Sequence, residues 1–132
     1  MPEWGLPIGL TLALTLASAP ALAAGKAAPR EFSGVAAYYD KNYKGRTAAG
    51  VQYDPGKLTA AHRTLPFGTR LKVTDRKTGR SVEVVVNDRG PFTRGRVLDL
   101  SLAAAKELRM LGRGLAHVTA HIEGAETTAS SR

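Results

Sequence analysis

Three polar side chains stand where the surrounding pattern is apolar or turns abruptly, and each has a chemistry open to it. Asp99 lies within Val97-Leu98-Asp99-Leu100, a carboxylate inside an apolar run. Burial without a cationic partner would raise its pKa toward the range a general acid needs near neutrality. The other role open to Asp99 is to hydrogen-bond the start of the helix that follows it. Asp88 ends the most apolar stretch and opens a Gly-Pro turn between Asn87 and Arg89. It reads either as a site residue at a strand end or as an Asp-Arg pair whose carboxylate fixes the bend. His62, in Leu58-Thr59-Ala60-Ala61-His62-Arg63-Thr64, can orient a hydroxyl or a carboxylate, or serve as a structural donor. His117 and His121 are four apart, but Val118, Ala120 and Ile122 alternate with them, so the segment reads as a strand. Four strand residues span about 13 Å, too far for both imidazoles to hold one ion. No metal site and no cofactor is expected.

The elements that must position these groups are short. FSGVAAYY, 32–39, is extended and predicts a first strand. Residues 40–56 carry Asp40, Asn42, Gly45, Gly50, Asp54, Pro55 and Gly56 and read as loop, and 58–64 as a single helical turn. Thr69–Thr74 and Ser81–Asn87 alternate and form a hairpin about the Asp75–Gly79 turn, with Val82, Val84 and Val86 on one face. Arg96–Leu100 is a short strand, and Ser101 caps a helix over LAAAKELRML that Gly112 stops. LAHVTAHIE alternates again and closes the sheet. Five or six strands with one short helix in about 90 residues predict a small β-barrel.

The chain has 132 residues and no cysteine, with nineteen Lys and Arg against eleven Asp and Glu, a net charge of +8. One domain fits that length; a disulfide framework, a cysteine-ligated zinc module and a cysteine nucleophile are excluded. Residues 5–24 carry no charge and soften toward an Ala21-Leu22-Ala23 cleavage pattern, which reads as a signal peptide over 1–24. The region before it has Glu3 and no base, so an uncleaved anchor is the alternative. Either reading exports the body, with the periplasm or cell envelope of a bacterium as its place, and cleavage leaves no stable membrane anchor. Removing 1–23 takes away Glu3 alone, leaving +9. Residues 25–31 read as a linker, 32–123 as the folded domain and 124–132 as a polar tail. Tyr38, Tyr39, Tyr43, Tyr53, Phe67 and Phe92 lie in or beside loops, where rings suit sugar stacking or seal a small core. Lys and Arg are spread evenly rather than gathered in a stripe, which argues against nucleic acid as a partner.

TAAGVQYDPGKLTAAHRTLPFG (47–68) and VNDRGPFTRGRVLDLS (86–101), followed by the Ala-rich helix, strongly resemble the rare lipoprotein A family over about residues 32–122. The resemblance implies a mainly β fold, a six-stranded double-psi β-barrel with one or two short helices. It implies an endolytic lytic transglycosylase, a carbon-oxygen lyase that cuts the bond from N-acetylmuramic acid to N-acetylglucosamine in peptidoglycan glycan strands and leaves a 1,6-anhydro ring. The sugar's own 6-hydroxyl is then the nucleophile, so one carboxylic acid serves both proton transfers, whereas hydrolysis needs a second carboxylate. On this sequence it implies Asp99 as general acid/base with Asp88 as partner, roles that the sequence leaves exchangeable. His62 would position substrate or the second carboxylate, and Arg89, Tyr53, Asn87 and Phe92 would bind it. Val51 replaces the family's glutamate, which opens the alternative of a non-catalytic, expansin-like peptidoglycan-binding module. A monomer is expected.

Overall fold

Valine-rich alternation and two-sided pairing dictate most of this structure, a computed structural model describing residues 30–125. The strands are β1 (Glu31–Tyr38), β2 (Thr59–Ala61), β3 (Thr69–Asp75), β4 (Ser81–Asp88), β5 (Arg96–Leu100) and β6 (Ala116–Ala125), with one helix, α1 (Leu102–Glu107), between β5 and β6. They close into a ring in the order β1-β5-β2-β4-β3-β6. The β1–β5 and β2–β4 pairs are parallel, while β1–β6, β2–β5, β3–β4 and β3–β6 are antiparallel. A closed six-stranded mixed barrel with a short helix is the expected architecture, and closure leaves no open sheet edge.

The hairpin is as the alternation predicts. Leu71 pairs with Val84 and Val73 with Val82, all four buried, while Lys72 and Glu83 face solvent opposite each other. These join Leu98, Leu100, Leu108, Met110, Val86 and Val118 in one core. Each large aliphatic side chain so buried contributes about 1.5–3 kcal/mol. Asp75 closes the β3–β4 turn from inside: it is wholly buried, accepts from the Lys77 N–H at 2.9 Å, and pairs with Arg113 from the loop after α1.

Three local expectations need correction. Residues 59–61 form a strand, not part of a helical turn, because their backbone is paired on both sides, to β4 and β5. Tertiary pairing there overrides the local propensity of Thr-Ala-Ala. The helix stops at Glu107, well before Gly112, with Leu108 as its C-cap and Arg109 at φ 55°. Ending there lets both Leu108 and Met110 drop into the core. The strands also outrun the expected bounds, since β1 starts at Glu31 and β6 reaches Ala125. The leader expected over 1–24, most of the 25–31 linker and most of the tail lie outside the described residues.

Ser101 caps α1 as expected: its Oγ accepts from the Ala104 N–H at 3.2 Å and also from the Thr59 N–H at 3.3 Å. Because the hydroxyl is buried and serves two donors, Ser101→Ala is expected to cost about 2 kcal/mol, the upper end for a lost cap. Urea unfolding midpoints of the two proteins check this.

Candidate functional site

Strand register builds the site. Ala61, the last residue of β2, pairs with Asp99 of β5 on one side and, past a bulge, with Asp88 of β4 on the other. Asp99 in turn pairs with Ala37 of β1. Ala37, Asp99, Ala61 and Asp88 therefore form one row across four strands, with the two carboxylates separated by a small residue. Two strand spacings put their backbones about 10 Å apart.

Asp88 is held by three donors from three segments. Its Oδ1 accepts from the N–H groups of Ala48 (2.7 Å) and Arg89 (2.8 Å), and its Oδ2 from the Tyr39 hydroxyl (2.5 Å). The turn-fixing bond to Arg89 is present, but it is one of three. Asp99 has a single side-chain partner, Arg96, whose Nη2 lies 2.5 Å from Oδ1. Asp99 therefore does have a cationic partner. The helix start does not need Asp99 either, since Ser101 serves the Ala104 N–H and the Tyr53 hydroxyl accepts from the Leu102 N–H at 3.0 Å.

A tight turn places a third wall. Gly50 at φ +90° donates to the Thr47 carbonyl, the Thr47 N–H donates to the Val51 carbonyl, and Arg46 bridges Gln52. Only glycine takes that φ without strain. The turn is stitched to β4 by the Ala49 N–H on the Asn87 carbonyl, and it presents Val51, 49% exposed, to a cleft of about 370 Å³. Asn87, Asp54, Lys57 and Thr59 line the same cleft.

His62 faces a different hollow, about 490 Å³, with Phe32, Leu65, Val97 and Ile122. Its Nδ1 accepts from the Thr64 and Leu65 N–H groups, each at 3.1 Å, which leaves the ring proton on Nε2 in the neutral form. Burial, then the charges of Arg63 and Arg89, push its pKa down and favour that neutral form. The structure does not bring its ring into hydrogen bonds with either aspartate; its main-chain N–H donates to the Asp88 carbonyl at 3.1 Å. Arg89 spends Nη1 on the His62 and Leu65 carbonyls and lays its guanidinium 4.0 Å over the Phe67 ring, so it shapes the 62–67 loop. Phe92, 78% exposed, is free to meet a ligand. Tyr53 is 4% exposed and its ring stacks on Tyr39 at 4.3 Å, and it also lines the cleft of about 370 Å³ beside Val51 and Asp54.

Sequence reasoning passed over Tyr39, Arg96 and Asp54. Asp54 reads as turn chemistry, and its Oδ1 does accept from the Gly56 N–H at 2.8 Å, but the residue also lines the cleft. The signal for Tyr39 was its place among the aromatics at the end of the expected first strand.

A family model described as lytic transglycolase, a double-psi barrel, matches residues 31–120. The chain belongs to this lytic transglycolase family. Among its curated relatives is the probable endolytic peptidoglycan transglycosylase RlpA of Nostoc sp., 53% identical over 96 residues, a match covering 70% of this chain and 26% of that protein. The chain therefore spans about a quarter of that relative's length. Among solved structures, the Streptomyces papain inhibitor is similar with a TM-score of 0.57 and 28% identity, covering 70% of this chain and 93% of that one. A Clavibacter michiganensis expansin solved in complex with cellohexaose has a TM-score of 0.56 and 22% identity, covering 70% and 50%. The double-psi barrel and the family resemblance are both borne out.

Proposed function

We propose that this lytic transglycolase domain is an endolytic peptidoglycan transglycosylase of the bacterial cell envelope, cleaving the bond from N-acetylmuramic acid to N-acetylglucosamine. The observation that carries the reading is the pair of carboxylates flanking Ala61 in one cross-strand row. Support comes from the names of relatives such as the Nostoc protein.

The two aspartates differ in their partners. Donors meet both oxygens of Asp88, whereas Asp99 is met only at Oδ1, by Arg96. That leaves its Oδ2 to face a glycosidic oxygen, and on that ground Asp99 is taken as the acid/base. Asp99 gives its proton to the glycosidic oxygen as the bond from C1 breaks. The 6-hydroxyl oxygen of the same sugar then bonds to C1, and its proton passes to the Asp99 carboxylate, which restores the acid. Asp88 stabilises the positive charge that develops at C1. No water enters the bond-forming step, so no second proton-transferring carboxylate is needed. Neutral His62 keeps the 62–65 turn in place beside Asp88, and Phe92 and Asn87 meet the glycan. The 1–24 leader would deliver the domain to the envelope.

Val51 favours a second reading, a glycan-binding module without turnover, because an apolar side chain stands exposed at the cleft where the family's glutamate would put a carboxylate. Incubating the domain with purified peptidoglycan and seeking 1,6-anhydro products by mass spectrometry decides between them. Val51→Glu is expected to raise product formation about tenfold, equivalent to about 1.4 kcal/mol of transition-state stabilisation. Products from Val51→Glu alone would establish the binding module.

A further inference from the structure

Tyr39 takes no part in the chemistry described so far, yet its placement is the most constrained in the site. It follows β1 directly, and its N–H donates to the Leu100 carbonyl at 3.0 Å. Its ring lies nearly parallel to that of Tyr53, at 4.3 Å and 13°, and is tilted against Tyr43 at 5.3 Å. Tyr53 is itself anchored, through its hydroxyl, to the first residue of α1. A ring held on one face and one edge by neighbours that are themselves held has little rotamer freedom left.

The packing needs only the ring; the hydroxyl has one recorded partner, Asp88 Oδ2. The direction of that bond is fixed. Burial first, then the hydrogen bond to Asp88, then the negative charges of Asp88 and Asp99 and the Tyr43 phenol, push the Tyr39 phenol far up, so it donates and the carboxylate accepts. With Ala48 and Arg89 N–H groups on Oδ1, a donor on Oδ2 leaves the carboxylate one orientation.

We infer that Tyr39 is a positioning residue that locks the Asp88 carboxylate in a single orientation as the partner of Asp99. The catalytic half of this inference rests on the transglycosylase reading; the lock itself does not.

Tyr39→Phe keeps the ring stack and removes only the donor. For that variant kcat for release of anhydro product is expected to fall about tenfold, the equivalent of one charge-assisted hydrogen bond, with KM within about twofold. The pH profile of product formation should also differ from that of the native domain, because Asp88 Oδ2 has lost its donor. A purely structural role for Tyr39 would leave both readouts alone. Tyrosine-ring carbon NMR, independent of turnover, reads the lock: the Tyr39 signal should stay unionised at a pH where free tyrosine, with a pKa near about 10, has ionised, and should ionise at lower pH in Asp88→Asn. Native kcat and an unmoved pH profile in Tyr39→Phe would overturn the inference, as would a Tyr39 signal that titrates like free tyrosine in the native domain. A native domain that forms no product at any pH, with the Tyr39 signal still responding to Asp88→Asn, defeats the transglycosylase reading and leaves the lock standing.

Discussion

Asp99→Asn is expected to lower release of 1,6-anhydro products by about a thousandfold, mid-range for loss of a positioned general acid/base. The asparagine keeps the size of the side chain, and its amide oxygen can still accept from Arg96, so the fold should be retained. What is lost is the proton that must reach the glycosidic oxygen and the carboxylate that must collect one from the 6-hydroxyl. The expected pattern is a collapse of kcat with an almost unchanged melting temperature and undiminished pelleting with purified sacculi. Product analysis on matched protein concentrations checks it. An Asp99→Asn protein as active as the native one would mean that Asp88 is the acid despite its three donors.

Arg113→Ala should produce the largest change in stability, about 3 kcal/mol, because it leaves the wholly buried Asp75 carboxylate without its cation. The low end of the range for a broken buried pair applies, since the Arg113 side chain is itself 31% exposed. Asp75→Asn should cost less, because it strands only a cation that reaches solvent. The pH dependence follows from the same pair. Burial pushes the Asp75 carboxyl up, but the Arg113 guanidinium and the N–H groups of Lys77 and Thr78 outweigh it and hold the carboxyl below its ordinary value. A depressed folded value means a contribution fully present above the unfolded value, near about 3.9, and lost as pH falls through the folded one. In Arg113→Ala the burial acts against fewer opponents, so the native rise in stability between acid and neutral pH should flatten. Urea unfolding at a series of pH values checks both statements.

Some of this molecule was plain in its residues, and some only in its closure. The β3–β4 hairpin was legible because Val82, Val84 and Val86 repeat at the strand period, and the helix start because Ser101 is the cap that α1 uses. β2 was not legible. Three residues carry no periodicity of their own, and Thr59–Ala61 is a strand only because β4 and β5 pair with it from distant parts of the chain. The same distinction runs through the site. Asp88 and Asp99 announced themselves as carboxylates in apolar surroundings, whereas Tyr39 acquires its task from a hydrogen bond across 49 residues. Arg96 was missed for a geometric reason: on an ideal strand, residues three apart point to opposite faces. Arg96 is the first residue of β5, after Gly95 at φ +87°, where the chain has just turned, and its guanidinium folds back to Asp99. The contacts of Tyr53 with the Tyr39 and Tyr43 rings were not legible, because nothing in its sequence neighbours reveals them.

The pairing of β1 with β6 brings the two limits of the barrel to one corner: the Ile122 N–H donates to the Arg30 carbonyl at 2.8 Å, and Glu31 lies opposite His121. A pull applied between those limits would load the antiparallel β1–β6 hydrogen bonds one after another, like a zipper, instead of all together in shear. The barrel is therefore mechanically soft along that line, and anything fused at both limits would share a doorway beside the Phe32–His62 hollow, which Glu31 and Ile122 also line.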